Sequence, residues 1–129
     1  MSLKERLGKL VQREKVETHP VDFTPDEQMI LEIITRSRSA NIPEIFAVML
    51  EIRREWGGAE TILHSSEIVN IVRDLEDSGF VQVDDEHQFE EDLGHFWRFT
   101  KSGSAAIRQI RRAEGRFSAP VTVNIPIAA

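Results

Sequence analysis

The sequence predicts a single α+β domain in which three helices are followed by a two-stranded hairpin and a closing helix. Apolar residues recur every three to four positions in segments that begin near Thr24, Pro43 and Ser65. Two short runs rich in aromatic and β-branched residues then flank an acidic segment, as the strands of a hairpin do. With 129 residues and 40% apolar content, the chain can build one hydrophobic core.

Composition narrows the possible functions. The chain has no cysteine, which excludes disulfides, thiolate zinc sites and cysteine nucleophiles. No apolar run approaches the roughly 20 residues needed to span a bilayer, and the charged start lacks the apolar stretch of a signal peptide. We therefore expect a cytoplasmic protein that does not enter a membrane.

Residues 1–23 are predicted to form a basic amphipathic arm. A short helix over residues 3–15 would place four apolar side chains on one side: Leu3, Leu7, Leu10 and Val11. This stripe needs a partner, either in the rest of the domain or in a second copy of the chain, and we expect a homodimer. Binding of the arm to nucleic acid or to an anionic membrane is the other interpretation, although three glutamates dilute its positive charge.

The first two helices of the domain have clear boundaries. Thr24, Pro25 and Glu27 form a capping-box sequence, and Ile30, Ile33 and Ile34 give the helix its buried stripe. This helix is expected to end between residues 36 and 40. A second helix begins near Pro43 and ends at Trp56, before Gly57 and Gly58. Its core-facing residues are Ile45, Val48, Met49, Ile52 and Trp56.

The third helix, residues 65–78, has the sharpest amphipathic pattern. Its apolar residues Ile68, Ile71, Val72 and Leu75 share one face, and Ser66, Asn70, Arg73 and Asp77 share the other. Ser65 is expected to cap the start of the helix. Gly79 stands where a left-handed residue usually ends one.

The hairpin and the closing helix follow directly. Residues 80–83 and 96–99 are predicted strands on either side of an acidic insertion, residues 84–94. The closing helix runs from about Thr100 to Ala113. It places Ala106, Ile107, Ile110 and Ala113 inward and Arg108, Arg111 and Arg112 outward.

The last segment, residues 117–129, is predicted to be an extended tail. Val121, Val123, Ile125 and Ile127 alternate with polar residues and Pro126, which is typical of an edge strand. Two interpretations stay open. The tail can add a strand to itself or to another protein, or it can pack on its own domain or be disordered.

Two phrases in this pattern resemble a known family. The run VRDLEDSGFV in the third helix and first hairpin strand, and the run FTKSG at the start of the closing helix, are similar to winged helix-turn-helix proteins such as the PadR and MarR families. The resemblance spans roughly residues 27–113. It implies a winged-helix domain over residues 24–116, with a three-helix core, a two-stranded wing and a closing C-terminal helix. It also implies a DNA-binding transcriptional regulator.

The residues expected to contact double-stranded DNA fall into two groups. Four polar side chains of the third helix are candidates for the major groove: Ser65, Ser66, Asn70 and Arg73. Asparagine can bind the edge of adenine through two atoms, and arginine can do the same to guanine. Phosphate contacts are expected from Arg36, Arg38 and Lys101, with Arg53 and Arg54 as further candidates. Alternatively, Arg73 pairs with Asp77 one turn on, and the helix is only a scaffold.

The charge distribution opposes part of this interpretation. The net charge is −6, and residues 65–100 contain two basic and ten acidic residues. The predicted wing has six carboxylates and no Lys or Arg between them: Asp84, Asp85, Glu86, Glu90, Glu91 and Asp92. Because DNA is bound largely through Lys and Arg on its phosphates, such a wing would be repelled. The alternative function is a non-enzymatic winged-helix adapter that binds another protein through the acidic wing and the apolar tail.

No catalytic residue, cofactor site or metal site is predicted, and an enzyme is not expected. The four histidines, at positions 19, 64, 87 and 95, do not form an HExxH motif, and Gly57-Gly58 is not followed by the Gly-Lys-Ser/Thr of a phosphate loop. The acidic residues 84–92 with His87 and His95 could hold a divalent metal, but they lack the spacing of an EF-hand loop. A solvated loop is the favoured interpretation.

Overall fold

The computed structural model describes residues 17–56, 64–84 and 95–126. This part of the chain is an α+β fold with four helices and two antiparallel two-stranded sheets, which confirms the predicted class. In chain order the elements are β1 (Thr18–Phe23), α1 (Pro25–Ser37), α2 (Ile42–Trp56), α3 (Ser65–Asp77), β2 (Val81–Val83), β3 (Trp97–Phe99), α4 (Lys101–Arg112) and β4 (Val121–Pro126). Among these residues, no helix combines the length and apolar character that crossing a membrane requires.

Helix α1 is the centre of the core. It begins with the predicted capping box: Glu27 N donates to Thr24 Oγ1 at 3.2 Å, and Thr24 N donates to Glu27 Oε1 at 2.9 Å. All residues from Gln28 to Ile34 are buried, well beyond the three isoleucines that the spacing predicted. The reason is that α1 contacts the other three helices and both sheets, so it has almost no solvent face along this stretch.

Helices α2 and α3 follow the predicted patterns with one correction. Asn41 caps α2, since its Oδ1 accepts from Glu44 N at 2.9 Å. Ser65 does not cap α3; it is the first helical residue, and the preceding His64 donates its N–H to Glu67 Oε1 at 3.4 Å.

The end of α3 is as predicted. Gly79 has a φ of 82°, and its N–H donates to Glu76 O at 2.9 Å. The N–H of Phe80 donates to Leu75 O at 2.8 Å. These two bonds form a Schellman motif, which ends the helix and directs the chain into β2.

Strand β3 has a backbone neighbour on each side. It pairs with β2 in the register Val81↔Phe99, Gln82↔Arg98 and Val83↔Trp97. On its other side, Ala40 exchanges two backbone hydrogen bonds with Trp97, at 3.0 and 2.9 Å. The segment between α1 and α2 is thereby fixed to the hairpin, a contact that the sequence analysis did not predict.

The closing helix α4 lies very close to the start of the hairpin. Thr100 N donates to Phe80 O at 3.0 Å, and Thr100 Oγ1 accepts from Gly103 N at 3.1 Å. A Cβ atom added to Gly103 would lie 2.1 Å from Phe80 O. Glycine is therefore the residue that permits this approach.

The structure corrects one expectation about the ends of the chain and decides between the two interpretations of the tail. Residues 18–23, which were assigned to the N-terminal arm, form β1 and pair with β4 from Thr18↔Pro126 to Phe23↔Val121. The tail packs on its own domain over residues 121–126, with Val121, Val123 and Ile125 buried. Gln109 of α4 also binds the backbone of Asn124: its Nε2 donates to Asn124 O at 2.8 Å, and Asn124 N donates to its Oε1 at 2.9 Å.

The β1–β4 sheet is attached to α1 through one fully buried amide. Gln28 Nε2 donates to Phe23 O at 2.9 Å and to Ala119 O at 2.8 Å, and Gln28 Oε1 accepts from Phe117 N at 2.7 Å. Phe117 has a φ of 65°, so its backbone adopts a left-handed conformation where it meets the amide. One side chain thus connects the segment before α1 to the segment after α4.

Several predictions lie outside the described residues. They are the helix over residues 3–15, the side chain of Trp56, the connection over residues 57–63, the acidic segment over residues 85–94 and the end of the tail at Ile127. Asp84 is described, and it is buried rather than part of a solvated loop. Its N–H donates to Phe96 O at 2.8 Å, which extends the hairpin ladder by one bond.

Replacing Gln28 with alanine is expected to lower the free energy of unfolding by about 3 kcal/mol or more, since each buried group left without its partner costs roughly 1–3 kcal/mol. Gln109→Ala is the matched control. It also removes an amide bonded to the C-terminal segment, but at an exposed position where water can replace the bonds. Urea denaturation followed by circular dichroism measures both losses. Equal losses for the two variants would contradict the role given to Gln28.

Gly103→Ala is expected to destabilise the fold by about 2 kcal/mol or more, because the new methyl group overlaps a backbone oxygen that is fixed by its bond to Thr100 N. Ser102→Ala, one residue earlier in the same helical turn, is the control and is expected to change stability little. Thermal unfolding of the two variants measures the difference. A Gly103→Ala protein as stable as Ser102→Ala would show that α4 can move away from the hairpin without cost.

Candidate nucleic-acid interface and basic pocket

The outer face of α3 presents the four side chains predicted for the major groove. Burial of Ile68, Val72 and Leu75 fixes which side of the helix faces the core. Ser65, Ser66, Asn70 and Arg73 are all exposed as a result. Asn70 and Arg73 are three residues apart, which places them next to each other on the helix surface.

Asn70 and Arg73 have no side-chain partner within residues 17–56, 64–84 and 95–126. The ion pair between Arg73 and Asp77, the alternative considered from the sequence, is not formed in this structure. Both side chains are therefore available to an external ligand. Asparagine and arginine are the side chains that bind adenine and guanine edges through two atoms.

The same face of α3 carries acidic residues. Glu67, Asp74 and Asp77 are exposed, whereas Arg73 is the only basic residue of the helix. Phosphate oxygens approaching this face meet more negative than positive charge. Any contact with DNA here must depend on base edges more than on phosphate neutralisation.

A second site lies between the hairpin strands, the end of α1 and the start of α4. Arg38, Arg98 and Lys101 line an open depression of about 680 Å³. The remaining lining residues are Gln82, Phe99, Thr100 and Ser104. We refer to this depression as the basic pocket.

The three basic side chains of the pocket come from three separate parts of the fold. Arg38 follows α1 with a φ of 64°, and its N–H donates to Thr35 O at 3.4 Å. Arg98 is the middle residue of β3, where it is exposed because its neighbour Trp97 faces the core. Lys101 is the first residue of α4.

The basic pocket contains no carboxylate among its lining residues. Arg38 and Lys101 have no ion-pair partner in the described part of the chain. The partner of Arg98 is the neutral side chain of Gln82. With the Gln82 amide turned so that its oxygen faces the guanidinium, this oxygen accepts from Arg98 Nε and Nη2, both at 2.7 Å. Three positive charges therefore share one depression, and none of the lining residues neutralises them.

The residues predicted from the sequence as DNA contacts lie in two separate places in the structure. Ser65, Ser66, Asn70 and Arg73 lie on α3, whose start and end are about 18 Å apart along the helix axis at 1.5 Å per residue. Arg38 and Lys101 lie around the basic pocket, next to the hairpin residues that follow the end of α3. Arg98 was not predicted, although the alternation of an inward Trp97 with an outward Arg98 could have indicated it.

Arg36 belongs to neither group. Its Nε donates to Glu32 Oε1 at 2.9 Å, one turn earlier in α1. Glu32 is mostly buried and also accepts from Arg111 of α4, with Nε and Nη2 both 2.9 Å from Oε2. This carboxylate bridges two helices, so the contact of Arg36 is within the fold. Arg53 and Arg54 lie in α2, but their side chains are outside what the structure describes.

No group of three metal-ligating side chains is found in the described residues. Comparison with known proteins gives no further assignment: no family model, no curated protein and no solved structure matches this chain.

Proposed function

We propose that the chain is a winged-helix DNA-binding transcriptional regulator that reads the major groove with α3. The observation that carries the proposal is the exposed and unpartnered pair Asn70 and Arg73 on a helix whose opposite face is fixed in the core. Helices of this width fit the major groove of B-DNA. Ser65 and Ser66, exposed in the first turn of α3, are further candidates for base or sugar contacts.

The order of the elements supports a winged-helix domain. Three helices precede an antiparallel hairpin, and a closing helix follows it, in agreement with the resemblance of the LEDSGFV and FTKSG phrases. The Ala40–Trp97 bridge and the hydrogen bond from Trp97 Nε1 to Glu76 Oε2, at 3.1 Å, attach β3 to both the α1–α2 segment and the end of α3. The hairpin and the reading helix are therefore expected to approach a ligand as one unit.

Only α3 enters this proposal as a DNA contact. Arg36 is engaged with Glu32, and Arg38 and Lys101 face the basic pocket. The regulator is proposed to bind with few phosphate contacts, and its affinity is expected to have a shallow dependence on salt. Each phosphate contact contributes about −0.9 to the slope of log affinity against log salt concentration.

A second candidate function is supported by the charge of the same surface. Glu67, Asp74 and Asp77 are exposed on α3, so this face suits a basic surface of another protein. The chain would then be a non-enzymatic winged-helix adapter. Part of the original basis for this alternative is removed, because the apolar face of the tail is buried in its own domain over residues 121–126.

The DNA proposal is tested by fluorescence anisotropy with a library of mixed duplex DNA, at low and at physiological salt. Binding whose affinity falls only shallowly as the salt concentration rises is expected. Absence of binding even at low salt would exclude the regulator and leave the adapter.

Arg73→Ala and Asn70→Ala are each expected to raise the dissociation constant for a selected duplex roughly 5- to 150-fold, the range of one lost bidentate base contact. Arg108→Ala is the control, because it removes an exposed arginine from α4 and keeps the net charge equal to that of Arg73→Ala. If Arg73→Ala and Arg108→Ala weaken binding equally and leave sequence preference unchanged, α3 is not the reading helix.

The regulator is also proposed to be a homodimer, a state motivated by the apolar stripe at residues 3, 7, 10 and 11. Sedimentation velocity in the micromolar range is expected to give the mass of two 14.8 kDa chains. A variant with glutamate at Leu7 and Leu10 is expected to sediment as one chain. A monomeric wild-type protein would remove the dimer from the proposal.

A further inference from the structure

We propose that the basic pocket binds the phosphate group of a small organic phosphate. This site is separate from the α3 surface, and the inference does not depend on DNA binding. Its basis is the convergence of Arg38, Arg98 and Lys101 on one depression that no carboxylate lines.

The basic pocket is positive, whereas the chain as a whole is acidic. The chain carries a net charge of −6, and residues 65–100, which include both hairpin strands, contain two basic and ten acidic residues. One of those two basic residues, Arg98, lies in the pocket together with Arg38 and Lys101. Unneutralised like charges repel one another, and a bound anion relieves this repulsion. The pocket is therefore a local site of attraction for anions on an acidic protein.

The pocket is preorganised by backbone contacts. Lys101 directly follows Thr100, whose N–H donates to Phe80 O. Arg98 follows Trp97, whose N–H and carbonyl are both bound to Ala40, and Ala40 lies two residues after Arg38. The Gln82 amide also fixes the Arg98 guanidinium. The backbone that carries the three cations is therefore fixed before a ligand enters, and binding orders mainly the side chains of Arg38 and Lys101.

The residue types select phosphate over carboxylate. A phosphate ester carries about −1.5 to −2 charges at neutral pH and three acceptor oxygens, whereas a carboxylate carries a single charge. Arginine guanidinium groups match phosphate oxygens through two parallel N–H donors. Two arginines and one lysine can address three oxygens of one group, so a dianion uses this site more fully than a monoanion does.

The size and lining of the pocket leave room for an organic group beside the phosphate. A volume of about 680 Å³ lies within the range of small-molecule sites and is much larger than one phosphate requires. Phe99 is half-buried in the lining and supplies an apolar wall beside the cations. Ser104 and Thr100 contribute polar side chains on the α4 side. The ligand is thus a molecule with a phosphate at one end and a flat or apolar part that can contact Phe99.

The test uses the full chain and adenosine monophosphate as the probe. Titration of ¹⁵N-labelled protein with this nucleotide is expected to shift the amide signals of Arg98, Lys101 and Ser104 in a saturable manner. Adenosine, the same molecule without phosphate, is expected to leave these signals unchanged. Sodium sulfate at matched ionic strength is expected to produce smaller shifts that do not saturate.

Two double variants test whether the nucleotide binds in the pocket. Arg38→Gln with Lys101→Gln removes two of the three cations while keeping side chains of similar length, and it is expected to abolish the saturable shifts. Arg108→Gln with Arg112→Gln is the matched control for net charge, since both residues are exposed on α4 and neither lines the pocket. The amide spectrum of each variant shows whether it is folded.

Three outcomes would overturn the proposal. The first is the absence of saturable shifts with adenosine monophosphate. The second is equal shifts with sulfate, which would identify a general anion effect. The third is displacement of the nucleotide by duplex DNA together with loss of DNA binding in the Arg38→Gln, Lys101→Gln protein, which would assign the pocket to the DNA surface. Failure of DNA binding alone leaves the nucleotide titration unaffected.

Discussion

The fold depends on the buried amide of Gln28, because this one side chain connects both ends of the described chain to the central helix. Its three hydrogen bonds reach Phe23, which is 5 residues before it, and Phe117 and Ala119, which are 89 and 91 residues after it. An amide can satisfy two carbonyls and one N–H at once, a combination that a carboxylate or an apolar side chain cannot provide. A buried polar group is tolerated only when its partners are in place, so Gln28 also determines where the C-terminal segment must pass.

Local signals in the sequence predicted the local parts of the fold. The capping box at Thr24, the core face of α3, the left-handed Gly79 and the start of α4 each depend on a few neighbouring residues, and the structure agrees with them. The long-range contacts could not be predicted in this way. Pairing of β1 with β4, the Ala40 bridge and the role of Gln28 depend on residues up to about a hundred positions apart. A glutamine inside an apolar helix pattern gives no indication of its partners.

The candidate sites also divide into one that follows from a local sequence pattern and one that depends on long-range contacts. The exposed polar face of α3 follows from helical periodicity, so Asn70 and Arg73 were found from sequence. The basic pocket was not found, because its arginines and lysine come from three elements, and Arg98 lies in the most acidic segment of the chain. A count of charges along the sequence therefore does not reveal a positive site that forms only in the folded protein. Folding brings basic residues from separate segments into one positive depression, away from the acidic helix surface.

The hydrogen bonds between Gln109 and Asn124 have a consequence for solubility. They occupy backbone groups on the edge of β4 that faces away from β1, so a strand from another molecule cannot use them. In β1, Pro20 lies opposite Asn124 and has no N–H to offer at the other edge. Both edges of this two-stranded sheet are thus interrupted near their middle. The sheet that joins the two ends of the described chain is therefore a poor template for cross-β growth.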